Sequence, residues 1–129
     1  VLLTRRTDDG TWCLPAGGAE PGGSFARTAI GELAEETGLR VEEDDLVPYA
    51  SLSEAELHTI TYANGDVTHC FTLLFLARTW GGDLDLDPEE VTEAVFADLE
   101  ALPAPLHAPS ARALELLDRF LASGQFQLR

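Results

Sequence analysis

The spacing of hydrophobic positions along this chain changes several times, and each change marks the edge of an element. Val1-Leu2-Leu3-Thr4-Arg5-Arg6 reads as a strand, Asp8-Asp9-Gly10 as a turn with glycine supplying positive φ, and Thr11-Trp12-Cys13-Leu14 as the returning strand. Pro15 to Gly23 contains Gly17, Gly18, Gly22 and Gly23 and reads as a loop. The apolar period then lengthens to that of a helix running through Phe25, Ala26, Ala29, Ile30 and Leu33, with Ser24 placed as its N-cap and Gly38 as its stop.

Val41 to Asp45 forms an acidic connection, and Leu46 to Leu52 a strand interrupted by Pro48. Leu57 to Tyr62 and Val67 to Arg78 are expected to pair around Asn64-Gly65, a strong hairpin signal. From Leu73 onward both faces of the second strand are apolar, which predicts a central strand covered on both sides. Gly81 to Glu90 reads as an acidic loop, Ala94 to Ala97 as a short strand, and Leu102 to Pro109 as a Pro-rich connection. Ser110 to Ala122 is amphipathic at helical spacing, with Leu114, Leu117 and Leu121 expected inward. No repeat or linker interrupts the pattern, so residues 1–129 read as one α/β domain with a mixed sheet rather than a regular parallel array. The first strand begins at Val1, so further residues are expected to precede it.

Composition narrows the partners. The 129 residues suffice for a single core. The net charge is −15, and every basic residue is arginine. Such a surface repels polyanions, which excludes long nucleic acid as the expected partner. No apolar run reaches the ~18 to 20 residues a membrane span needs. Cys13 and Cys70 form no metal-binding pair, so reduced thiols and a cytoplasmic location are expected. His58, His69 and His107 are scattered, and are expected to be surface or internally bonded side chains rather than ligands.

The candidate chemistry lies on the first helix. At ~100° per residue, Glu32, Glu35 and Glu36 fall within an arc of about 100°, beside the apolar arc of Ala26, Ile30 and Leu33. Like charges at these spacings repel by a few tenths of a kcal/mol per pair. A divalent cation would offset that repulsion, and Mg²⁺ prefers carboxylate oxygens, water and phosphate. Taken alone, the cluster also fits a solvated acidic face. The Gly-rich loop entering the helix tilts the balance, because backbone can approach a metal or phosphate there unobstructed.

These residues resemble the signature of the Nudix hydrolases (MutT-like proteins), G-x(5)-E-x(7)-R-E-U-x-E-E-x-G-U, with U a bulky aliphatic residue. Gly17 takes the opening glycine, Glu32 the Glu after the Arg, Leu33 the following aliphatic position, and Glu35-Glu36-Thr37-Gly38-Leu39 the end. Trp12-Cys13-Leu14-Pro15-Ala16 looks like the usual entry, and Phe96 to Pro103 is similar to a late strand and turn of the family. Two positions depart: the first Glu is Gly23 and the Arg is Gly31. If that Glu and Arg normally pair, losing both avoids leaving one charge orphaned.

The resemblance implies an α/β/α sandwich with a central mixed sheet flanked by helices. It also implies Mg²⁺-dependent hydrolysis, with Mn²⁺ as a substitute, of a nucleoside diphosphate linked to another moiety. Candidate substrates are ADP-ribose, nucleotide sugars and nucleoside triphosphates. Gly17, Glu32, Glu35 and Glu36 would hold the metal, and Glu32 would be a further ligand or the base. A later loop supplies the base in parts of the family, and here Glu90 leads Glu89 and Glu93 as the candidate. Arg5 or Arg6 would contact phosphate, and alternation allows only one of them to face the site. Tyr62, Phe71 and Trp12 are candidates for stacking on a base. A catalytically weak or inactive nucleotide-binding module is the alternative, and a homodimer is the family's common habit.

Overall fold

The computed structural model describes residues 1–129. In chain order the elements are β1 (Leu2–Arg6), β2 (Trp12–Cys13), α1 (Phe25–Thr37), β3 (Val47–Leu52), α2 (Ala55–His58), β4 (Thr59–Thr61), β5 (Val67–His69), β6 (Thr72–Leu76), β7 (Val91–Phe96), α3 (Ala108–Ser123) and β8 (Gln127–Leu128), with a 3-10 turn at Glu43–Asp45. The class is α/β, as expected, with the strands divided among separate sheets. β2-β1-β7 is wholly antiparallel, β6-β3-β8 is mixed, and β4-β5 is a separate two-stranded hairpin.

The core lies where α3 meets β3 and β1. Leu3, Tyr49, Ala50, Leu52, Ala113, Leu114, Leu116 and Leu117 are buried together there. Pro48 cannot donate a ladder hydrogen bond, and the β3–β6 register shifts between Pro48 and Ala50. No helix is long and apolar enough to cross a membrane.

Several sequence expectations need correcting. Leu57 and His58 are not strand residues: their amides bond the Glu54 carbonyl at 3.0 Å each and wind the chain into α2. The long strand expected over Val67 to Arg78 is broken at Cys70-Phe71, where the Cys70 amide turns to the His58 carbonyl at 2.7 Å. Its two halves therefore pair with different partners, β5 with β4 and β6 with β3. β6 is an edge strand, and the central, covered strand is β3, whose Tyr49 to Leu52 are all buried. Only part of the β6 apolar surface, Leu74 and Leu76, packs on the core. Leu121 points outward with 44% exposure, because the core ends before the last turn of α3. Phe120 packs there instead, its ring 6.1 Å from that of Tyr49. Neither β8 nor the start of β7 at Val91 was anticipated.

Candidate active site

Helix α1 carries the carboxylates, and both of its ends are built from local signals. The Ser24 hydroxyl accepts the Arg27 amide at 3.2 Å. At the other end Gly38 sits at φ +76° and its amide bonds the Ala34 carbonyl. Glu36 and Thr37 are the buried residues of the helix, and Glu36 is only 8% exposed, whereas Ala26, Ile30 and Leu33 are half-buried. Glu32 is half-buried and Glu35 exposed.

Two loops close on this face. The first presents Gly17 to the Glu32 carboxyl group: a Cβ at Gly17 would occupy the same space as the Glu32 carboxylate. That is a concrete reason for glycine at position 17. The second is the acidic loop of residues 81–90, laced along the C-terminal end of α1. Arg40 and Gly81 exchange backbone hydrogen bonds at 2.9 and 2.8 Å. The Asp85 amide bonds the Thr37 carbonyl at 2.8 Å and the Asp87 amide bonds that of Glu36 at 3.2 Å, satisfying carbonyls that a helix end leaves open. The chains pass so closely that a Cβ on Gly82, at φ +83°, would lie 2.7 Å from the Gly38 carbonyl oxygen. The loop then turns at Asp87, whose side chain accepts the Glu89 amide at 2.9 Å, and buried Val91 anchors its exit.

This lacing brings Glu90 to Glu32 and Glu36. Burial first, then the charges of Glu35 and Glu90, raise the Glu32 pKa above its ordinary value. Burial first, then Glu32 and Glu90, push Glu36 up to about 7, against smaller opposing effects from the Ala16 amide and Arg6. The site is thus a cluster of like charges with little to neutralise it.

The arginines diverge as strand alternation requires. Arg6 lies on the side of Glu36 and Cys13 and is tied to Asp8 and Asp9. Arg5 pairs with Glu93 across the β1–β7 register at 2.7 Å, bonds the Gly10 carbonyl at 3.1 Å, and lies 6.0 Å from the Trp12 ring centre. Glu93 is therefore engaged with Arg5, whereas the charge of Glu90 acts on Glu32 and Glu36. Tyr62 lies at the turn of the β4–β5 hairpin, 49% exposed, with its backbone bonded within that turn. The lacing of the 81–90 loop onto α1 was not foreseen. The Gly81-Gly82 pair within an acidic stretch is the signal that could have suggested it.

As the side chains stand, no three His, Cys, Asp or Glu residues form a group able to hold a metal ion. The donor set still fits a hard divalent cation. It offers carboxylate oxygens, glycine backbone lying directly against Glu32, and excess negative charge. Exposed Glu35 and Glu90 can rotate toward Glu32 and Glu36.

Comparison with known proteins places the chain in a family. The NUDIX domain family matches residues 1–117. A protein named MutT4 from Mycobacterium tuberculosis is 32% identical over 118 residues, 88% of this chain and 45% of that protein. The NAD-capped RNA hydrolase NudC of Pseudomonas aeruginosa is 32% identical over 124 residues, 95% of this chain and 40% of its own length. The chain thus spans less than half the length of these curated relatives. The crystal structure of a MutT NUDIX hydrolase from Burkholderia pseudomallei matches with a TM-score of 0.70 at 25% identity, over 90% of this chain and 86% of that one. With the family matched over nearly its whole length and the fold shared, this chain belongs to the NUDIX domain family.

Proposed function

We propose that this chain is a Mg²⁺-dependent hydrolase that cleaves the pyrophosphate bond of a nucleoside diphosphate linked to another moiety. The observation carrying this reading is the approach of Glu90, from the 81–90 loop, to Glu32 and Glu36 on α1, with Gly17 against Glu32. Glu32, Glu35, Glu36 and the Gly17 carbonyl would hold the ion, with Mn²⁺ as a substitute. When bound, it supplies positive charge that offsets the negative charge developing on the phosphoryl oxygens. Glu90 or Glu32 takes the proton from the attacking water; for Glu32, burial and like charges raise the carboxylate pKa, which suits proton transfer. Of the arginines, Arg6 is on the side of Glu36 and is the one to meet phosphate once it leaves Asp8. Free Cys13 and Cys70 suit the reducing cytoplasm. A homodimer belongs to the same proposal.

Gly23 and Gly31 favour a second reading, a module that binds nucleotide with little or no turnover. A Cβ at Gly31 meets nothing within 4 Å, so nothing packs on the helix directly at the position of the family's arginine. Phosphate release from nucleoside diphosphate derivatives, ADP-ribose, nucleotide sugars and nucleoside triphosphates, with Mg²⁺ or Mn²⁺ against EDTA, separates the two. Release that EDTA abolishes supports the hydrolase. Binding without release from any substrate would leave only the module.

A further inference from the structure

Resting on that nucleotide reading, we infer that Phe25 and Phe71 form the platform on which the nucleobase of the substrate stacks. Phe25 opens α1. Glu32 follows seven residues later, a rotation within about 20° of two full turns and a rise of roughly 10 Å. Phe25, Ala29, Glu32 and Glu36 therefore run along one stripe of the helix, with only a methyl group between the aromatic ring and the first carboxylate. A ribose linking a base to its phosphates fills a span of that order.

Phe71 completes the platform from a different element. Its ring centre lies 6.0 Å from that of Phe25 with the planes inclined at 58°. Phe25 is 44% and Phe71 57% exposed, so ring faces remain open to a ligand. The break between β5 and β6 holds Phe71 in place, through the Cys70 amide on the His58 carbonyl at 2.7 Å and the β6 ladder to β3. A platform ordered before binding loses little entropy on stacking.

The other aromatic groups are less suitable. Trp12 lies beneath the Arg5 guanidinium and packs against the core. Trp80 and Phe96 stack 5.4 Å apart, but Trp80 adjoins the C-terminal end of α1, in a hollow where Arg40 is outnumbered by Glu42 and Asp45. Carboxylates and the negative end of a helix disfavour a phosphate-bearing ligand there.

Calorimetric titration of ADP and of ribose 5-diphosphate, which lacks only the base, tests the platform in the presence of Mg²⁺. The protein should prefer ADP by roughly 5- to 20-fold, the lower range for one base stacked on an exposed aromatic surface. Phe25→Leu and Phe71→Leu keep apolar bulk but lose the flat face, and each should cut that preference severalfold while the thermal midpoint holds. Equal affinity for both ligands in the unaltered protein, or an undiminished preference in both folded variants, would overturn the platform. Turnover is read separately. Hydrolysis without ADP preference removes the platform alone, whereas ADP preference without hydrolysis of any substrate removes the hydrolase reading and leaves the platform. Failure to bind either ligand removes the platform and leaves the hydrolase reading to the turnover measurement.

Discussion

Two clusters of carboxylates in this molecule show opposite electrostatic behaviour. Around Arg112 on α3, Glu54 accepts two hydrogen bonds at 3.1 and 2.9 Å and Glu115 one at 2.8 Å. Those bonds hold Glu54 below the ordinary carboxylate range and Arg112 above its own. The cluster is satisfied internally and pins α2 to α3. Around α1, burial and like charges push Glu32 and Glu36 upward, with only the Ala16 amide and Arg6 giving Glu36 smaller relief. An acidic protein can place carboxylates almost anywhere. What distinguishes a site is a set of them held together without their own cations.

The sharpest way to break this contrast is to neutralise one member of each cluster. Glu36→Gln should lower phosphate release by roughly 100- to 1000-fold, the scale of losing a preorganised charge at a reacting centre. Arg112→Ala should leave turnover within about twofold while lowering stability modestly, because Glu54 and Glu115 lose their common partner. Steady-state kinetics and denaturant unfolding on both variants check the pair of expectations. Equal loss of activity in both would erase the distinction.

A second comparison uses pH in metal-free protein. The folded pKa of Glu36 lies near 7 and its ordinary value is 4.5, so the native state holds a proton that the unfolded chain releases between these values. Stability present below pH 4.5 is therefore lost as pH rises through about 7, by on the order of 2 kcal/mol once solvent screening is allowed for. Thermal unfolding from pH 4.5 to 8 should show this decline, and Glu36→Gln or saturating Mg²⁺ should flatten it. A slope unchanged by either would detach the decline from this carboxylate.

The smallest expected effect concerns the missing arginine. Gly31→Ala meets open space and should stabilise α1 by about 0.5 to 1 kcal/mol without impairing turnover. Position 23 is less forgiving, because a Cβ there lies 3.1 Å from the Glu20 carbonyl oxygen. In a double-mutant cycle, Gly31→Arg should thus be accepted more readily than Gly23→Glu. Purely additive effects on stability would show that the two positions are not partners.

Where the structural instruction is local, the sequence was legible. Ser24 and Gly38 mark α1 because a hydroxyl cap and a left-handed glycine act within one turn of themselves. The Asn64-Gly65 turn is similar, with Gly65 at φ +92° and its amide on the Tyr62 carbonyl. Helical spacing put Glu32, Glu35 and Glu36 on one face before any fold was known. β6 misled because its apolar residues do not say how many neighbours the strand has: it is an edge strand, and β3 is the covered one.

Tertiary structure alone decided the rest. It separated Glu90 from Glu93, which are three residues apart and chemically identical, by giving one to the helix carboxylates and the other to Arg5. It set Phe71 beside Phe25, and β8 beside β3 in parallel. Each of these depends on which distant backbone comes alongside, and that is settled by packing over the whole chain. Spacing along the helix therefore specified the carboxylate face, while its lack of neutralising partners and its neighbours Gly17 and Glu90 came from the way the loops close over it.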